Sequence, residues 1–301
     1  MPIRSAAIFA LTFFLPYLSQ AQDAAISIKS TEVAAGFYML EGDGGFVGGN
    51  MSLLVGEDGV ILIDDGLQPY APTLLSAIRE LTGEAVDFVI NTHVHGDHVG
   101  ANAALHATGA TVFAHDNIRK RLLEDGITSA DGQVDAPPGM LPEITFSDSV
   151  TFHLNGHRAY VFHVAAAHTD GDAAIHYPDI NVIHAGDIFF NGLFPFIDLD
   201  SGGSVEGFLA AQERVLAMSD DDTIIIPGHG ALASKADLET ARTMLIDARA
   251  RVAKLVEGDM SEEQVLKENP LSIYHDVWNW SFITTERMTR TLYRSLTYGG
   301  L

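Results

Sequence analysis

Asn91-Thr92-His93-Val94-His95-Gly96-Asp97-His98 places four potential metal ligands within six residues. The chain has no cysteine and 13 histidines, so any ion it holds is held by nitrogen and oxygen. Four such side chains cannot all face one ion from a regular helix or strand. A turn at Gly96 would aim His93 and His95 at one ion and Asp97 and His98 at a second, so the segment asks for two metals. Two divalent ions that share a water bring its pKa toward neutrality, and an open coordination position polarises a bound carbonyl. That chemistry is hydrolysis by a metal-bridging hydroxide, and it requires no protein nucleophile.

The elements that must position these residues are legible on either side. The apolar run Val86 to Ile90 ends directly before Asn91, which puts the imidazoles on a strand-to-helix loop, where sites are usually built. Upstream, Met51 to Val55 and Val60 to Asp64 form a predicted hairpin around Gly56-Glu57-Asp58-Gly59. Leu74, Leu75, Ile78 and Leu81 then recur at helical spacing after Pro72. Downstream, Ala101 to Thr108 and Asn117 to Glu124 read as helices around an extended Thr111 to Ala114. Gly126 to Pro142 has no period and reads as a surface loop. Thr145 to Leu154 and Arg158 to Val164 predict a hairpin turning at Asn155-Gly156. Short strands follow at Ala173 to Tyr177 and Asn181 to His184, then a helix capped by Ser204, a buried strand from Thr223 to Ile226, and helices to the end. Strands and helices alternate without a Pro/Gly/Ser-rich linker, which predicts one α/β domain over residues 22–301.

The histidine-rich segment resembles the signature of the metallo-β-lactamase superfamily, and matching blocks follow in order: Ala167-His168-Thr169, His184-Ala185-Gly186-Asp187 and Pro227-Gly228-His229-Gly230. The resemblance implies an αββα sandwich with two metals at one edge. It implies that His93, His95 and His168 hold the first ion, that Asp97, His98 and His229 hold the second, and that Asp187 bridges them. Asp97 would also orient the hydroxide. Lactamases of the best-known subclass carry Cys at the position of Asp187. A carboxylate there is closer to the thioesterases and lactonases of the superfamily. No Lys or Arg stands between Asp187 and Arg214, where those lactamases place a cation for the drug's carboxylate.

Around that ligand set, Asp64 in Ile63-Asp64-Asp65-Gly66 is expected to accept from a ligand imidazole, and His184 to support the site without ligating. Phe46, within the glycine-rich stretch Gly42 to Gly49, is a candidate apolar flap over the metals. Phe194 and Phe196, on the loop after Asp187, are candidate substrate contacts. Trp278, Trp280 and Phe282 alternate as packing residues do. His106, His115, His153, His157, His163, His176 and His275 have no partner at ligand spacing.

Composition bounds the function. With 47% hydrophobic and 19% charged residues the chain is a folded globular protein. Its 40 acidic against 17 basic residues, a formal charge of -23, repel phosphate backbones, so nucleic acid is excluded as a partner and a small molecule is expected. Arg4, the apolar run Ala6 to Leu18 and Ser19-Gln20-Ala21 make residues 1–21 an expected secretory signal. The mature chain would then be exported, to the periplasm, without a membrane anchor. The expected protein is an exported enzyme with two Zn2+, or Fe or Mn in their place, that opens a cyclic amide or related carboxyl derivative. β-Lactam hydrolysis comes first. A lactonase or thioesterase is the alternative, and a mononuclear iron enzyme resembling persulfide dioxygenases is a second.

Overall fold

The computed structural model describes residues 26–129 and 132–298, so the expected signal segment lies outside the described residues. The first sheet takes β1 (Ser27–Ala34), β2 (Phe37–Asp43), β3 (Met51–Gly56) and β4 (Gly59–Ile63) as an antiparallel meander. It continues in parallel through β5 (Phe88–Ile90) and β6 (Thr111–His115). A separate hairpin of β7 (Ile127–Ser129) and β8 (Gly132–Val134) follows, and β9 (Ile144–Phe146) then pairs in parallel with β6 to close the sheet's far edge. The second sheet runs in sequence order through β10 (Ser149–Leu154), β11 (His157–His163), β12 (Ala173–Tyr177), β13 (Val182–Phe190) and β14 (Ile224–His229).

Helices α1 (Ala71–Thr82), α2 (Gly96–Val99), α3 (Asn102–Ala107) and α4 (Asp116–Glu124) come from the first half of the chain, where α1 and α3 pack on the first sheet. From the second half come α5 (Val205–Ala217), α6 (Lys235–Val256), α7 (Glu262–Glu268), α8 (His275–Trp278) and α9 (Thr285–Tyr298), which cover the second sheet. Both sheets are therefore flanked by helices, and the fold is the expected αββα sandwich. Among the described residues no helix is long and apolar enough to cross a membrane.

Burial on both faces explains why β4 reads as an unbroken apolar run rather than an alternating one. Val60 and Leu62 pack toward Leu74 and Ile78 of α1, whereas Ile61 and Ile63 pack into the layer between the sheets with Val161, Ile175 and Ile226. All nine residues of β13 are buried for the same reason, and this strand carries both His184 and Asp187.

Two expectations are corrected. Thr145 to Leu154 is not one strand of a hairpin: β9 belongs to the first sheet and β10 to the second, and the chain changes sheets at Ser147-Asp148. The alternation of Ile144, Phe146, Val150 and Phe152 runs through this corner, so periodicity does not reveal it. The segment from Gly126 to Pro142 is not wholly irregular either, because it contains the β7–β8 hairpin. Asn155-Gly156 does turn the β10–β11 hairpin, with both residues at positive φ (56° and 75°).

Candidate metal centre

The ligand candidates come from the ends of strands on both sheets. β5 ends at Ile90, and the loop into α2 carries His93 and His95, while α2 itself carries Asp97 and His98. His168 lies on the loop between β11 and β12, Asp187 near the end of β13, and His229 at the end of β14. The structure brings all seven together. The ligand atoms of His93, His95, His168 and Asp187 lie within 4.8 Å of one another, as do those of Asp97, His98 and His229.

Asp187 faces both groups, one oxygen to each. Its Oδ2 is 3.6 Å from His93 Nε2 and 3.4 Å from His168 Nε2, while its Oδ1 is 3.2 Å from His98 Nε2 and 3.5 Å from His229 Nε2. Asp97 Oδ2 stands 3.3 Å from His229 Nε2 and 3.7 Å from His98 Nε2. Neighbouring glycines permit this approach: a Cβ at Gly228 would stand 2.0 Å from Asp187 Oδ1, and one at Gly49 would stand 2.2 Å from His98 Cε1.

Three buried atoms at the centre, His93 Nε2, His98 Nε2 and Asp187 Oδ1, have no hydrogen-bond partner. Buried polar atoms are normally satisfied, and unsatisfied ones converging from two sheets fit divalent cations. The outward nitrogens are, by contrast, fixed. Asp64 Oδ2 accepts from His98 Nδ1 at 2.7 Å, the Phe196 carbonyl accepts from His168 Nδ1 at 2.7 Å, and Asp198 Oδ2 accepts from His95 Nε2 at 3.0 Å. His95 therefore turns Nδ1 inward, 2.8 Å from His168 Nε2. These acceptors set ring orientation and tautomer, as the partners of metal-bound imidazoles do.

Asp64 takes the place expected for it, and His184 sits behind it, with Nε2 3.6 Å from Asp64 Oδ2 and Nδ1 2.7 Å from Ser52 Oγ. Asp198 was not foreseen: it stands 103 positions from His95 in an irregular loop, and no spacing points to it. Phe194 is a correction. It is 0% exposed, its backbone binds Trp278 O and Trp280 Nε1, and its ring turns inward toward Tyr274 rather than to substrate. Phe46 and Phe196 do line a cavity of about 660 Å³ over Asp97, Asp187 and His229, and so do Trp280 and Phe282. Reading those last two as packing alone misses them, whereas Trp278 is indeed buried in the core.

The charges at the centre are polarised. Burial lowers His93 well below its ordinary range, and burial lowers His168 to about 4. Burial also works against charge on His229, but Asp187 and Asp97 outweigh it and raise its imidazole to about 9; the same carboxylates raise His98. Asp97 resists its own burial through His98 and His229 and falls to about 2. Two imidazoles thus carry protons where cations would sit, and metal uptake must expel them.

This fixes a pH dependence for the metal-free protein. His229, raised from 6.5 to about 9, contributes stability that is full below pH 6.5 and lost as pH rises to 9. His168, lowered to about 4, is buried neutral, so stability is lost as pH falls from 6.5 toward 4. Urea melts of metal-free protein are expected to show a maximum near pH 6.5, with a loss on the order of 3 kcal/mol on either side. Zinc should abolish the alkaline loss, since the cation replaces the proton. Stability rising steadily from pH 6.5 to 9 without metal would contradict protonated His98 and His229.

Comparison with known proteins agrees with this geometry. The family model described as the metallo-beta-lactamase superfamily matches residues 44–229, which include all seven candidate ligands. A hydroxyacylglutathione hydrolase of Polaromonas sp. is 30% identical over 190 residues, covering 62% of this chain and 63% of that protein, so the match spans less than two thirds of that relative. A metallo-beta-lactamase type 2 of Bacteroides fragilis is 21% identical over 187 residues, covering 62% of this chain and 70% of that one. The solved metallo-beta-lactamase from Pontibacter korlensis superposes with a TM-score of 0.61 at 17% identity, over 73% of this chain and all of that one, and this supports the fold. With the sandwich, the seven converging side chains and the family match in agreement, the chain belongs to the metallo-beta-lactamase superfamily and is a metallo-hydrolase of it.

Proposed function

We propose that the protein is an exported, periplasmic dinuclear zinc hydrolase that opens a cyclic amide or related carboxyl derivative, with β-lactams as the first substrates to test. The observation that carries this reading is the division of Asp187 between the two groups, one oxygen to each. Export rests on Arg4, the apolar run Ala6 to Leu18 and Ser19-Gln20-Ala21.

His93, His95, His168 and Asp187 Oδ2 would hold the first ion, and Asp97, His98, His229 and Asp187 Oδ1 the second. Bound there, two zinc ions would acidify water and polarise the carbonyl it attacks. Asp97, partly exposed on the cavity floor, is placed to accept a hydrogen bond from the attacking water and so aim its lone pair. Asp198, Asp64 and the Phe196 carbonyl hold the imidazoles in orientation through the reaction.

A second complete ligand group in Asp97, His98 and His229 favours this reading over a mononuclear iron oxygenase. The hydroxyacylglutathione hydrolase among the relatives is named for a glutathione derivative, but among the described residues no Lys or Arg lines this cavity to meet glutathione's carboxylates. Elemental analysis of the purified protein, run beside a hydrolysis screen of lactams, lactones and thioesters, tests the proposal. Two zinc ions per chain with lactam opening is the expected result. One tightly held iron and no second ion would overturn it.

A further inference from the structure

The cavity above Asp187 is walled by rings in continuous contact. Phe46 stacks on His229 with centroids 6.0 Å apart, and Phe190 stacks on the same imidazole at 5.1 Å. Phe190 meets Trp280 at 6.3 Å, Trp280 meets Phe282 at 5.6 Å, and Phe282 meets Phe196 at 5.3 Å. Phe196 then stacks on His95 at 5.5 Å. The result is a collar that runs from Phe46 across His229 to His95.

The collar offers almost no polarity. Trp280 spends its Nε1–H on the Phe194 carbonyl at 2.9 Å, which leaves Ser281, among the described residues, as the one polar side chain of the lining apart from the candidate ligands. The guanidinium of Arg287 lies over the rings of Phe282 and Phe196, 4.2 and 5.0 Å from their centroids, and donates to the Phe282 carbonyl at 3.0 Å. It clasps two wall residues that are 86 positions apart, and it is absent from the cavity lining. At the rim, Phe46 and Phe282 remain 57% and 46% exposed and carry the apolar wall out to solvent. Trp280, Phe282 and Arg287 all lie beyond residue 229, outside the region the family model matches, so this wall is a feature of this chain's C-terminal part.

We propose that the collar binds an uncharged alkyl or aromatic substituent, and that the substrate is an ester, lactone or amide carrying such a group next to its scissile carbonyl. This rests on the hydrolase reading above. In the reaction the acyl–oxygen or acyl–nitrogen bond breaks, water gives its OH to the acyl carbon, and its remaining proton goes to the leaving oxygen or nitrogen. The scissile carbonyl would lie at the floor, where His95, Asp97, Asp187 and His229 would hold the ions, and the rest of the molecule is recognised by burial.

The test has two arms, both on zinc-loaded full-length protein. In the first, kcat/KM is measured for γ-lactones whose alkyl substituent grows from methyl to octyl. In the second, straight-chain alkanols of four to eight carbons are titrated against tryptophan fluorescence, which reports binding without turnover. Because the chain has two tryptophans, Trp280→Phe identifies the one that senses the ligand. The expected result in both arms is a gain of about three- to fourfold per added methylene until the cavity is filled. Phe282→Ala, at a half-exposed position, is expected to lower the octyl-to-methyl ratio of kcat/KM about tenfold with zinc content unchanged. Hydrolysis and alkanol binding that are both indifferent to chain length overturn the collar and leave the hydrolase reading intact. Chain-length-dependent binding, with no ester, lactone, lactam or thioester opened by protein holding two zinc ions, keeps the collar and overturns the hydrolase reading.

Discussion

Asp187→Ala is expected to lower bound zinc from two ions per chain to fewer than one and to reduce hydrolysis about 10³-fold or more. Each Asp187 oxygen faces a different ligand group, so this one substitution takes an oxygen from both at once. The Lewis-acid contribution at stake is several kcal/mol, and each ~1.4 kcal/mol is a factor of ten in rate. His229→Ala makes the contrast, because it removes a ligand from only one group. It should leave about one ion bound, held by His93, His95, His168 and Asp187.

A folding defect would look different. Asp187 is a buried carboxylate whose charge is opposed by burial and supported by His98 and His229. Without metal its removal takes the carboxylate partner from His98 and His229, so metal-free Asp187→Ala should melt cooperatively but below metal-free wild type, while zinc should raise its melting temperature far less than it raises the wild type's. Two ions retained at wild-type affinity would show that Asp187 does not join the sites.

How much of this centre could be read from the chain follows from how local each signal is. His93, His95, Asp97 and His98 declare themselves because four ligand types crowd one loop directly after a buried strand. His168, Asp187 and His229 are isolated in sequence and become visible only through their resemblance to motifs at strand ends. Asp64 was found from its place at the end of β4, beside the strand that leads to the loop. Asp198 was not, since an acceptor contributed by an irregular loop obeys no spacing. The collar was half seen, for a related reason. Two-residue alternation predicts a packed strand, but residues 279–284 form no strand, and there Trp280 and Phe282 both turn toward the cavity. Phe194 and Phe196 show the converse: two positions apart on one loop, one ring faces the core and the other the ligands. In the fold, strands buried on both faces were the easiest to recognise. The first hairpin, β1 with β2, gave no such signal because Ser27–Ala34 is a partly exposed, largely polar edge strand.

The second large effect is expected at Asp64, a residue that touches no substrate. Its Oδ1 accepts from Thr92 N at 2.7 Å, and its Oδ2 accepts from Thr92 Oγ1 and His98 Nδ1, each at 2.7 Å. Burial would push this carboxyl up, but His98 and His184 hold it below its ordinary value, so it stays ionised with no exposure. It also sits at φ 57°, a left-handed conformation that Asp and Asn adopt at lower cost than Ala. Asp64→Ala therefore strands three buried donors and strains the backbone together, and a loss of about 3–5 kcal/mol in stability is expected, enough to abolish most soluble protein. Asp64→Asn separates orientation from folding. It keeps the backbone conformation and one acceptor oxygen, but with an NH2 in place of the other oxygen it cannot accept from Thr92 N, Thr92 Oγ1 and His98 Nδ1 together as the carboxylate does. Folded Asp64→Asn protein is expected to bind the second zinc about 10- to 100-fold more weakly in chelator competition, with the first ion far less affected. The selectivity follows from the contact: the carboxylate grips His98, which faces the second group, while His95 and His168 are held independently by Asp198 and the Phe196 carbonyl. Equal weakening of both ions would assign Asp64 to holding the whole loop from Thr92 to His98, and unchanged affinity for both would remove it from the metal centre.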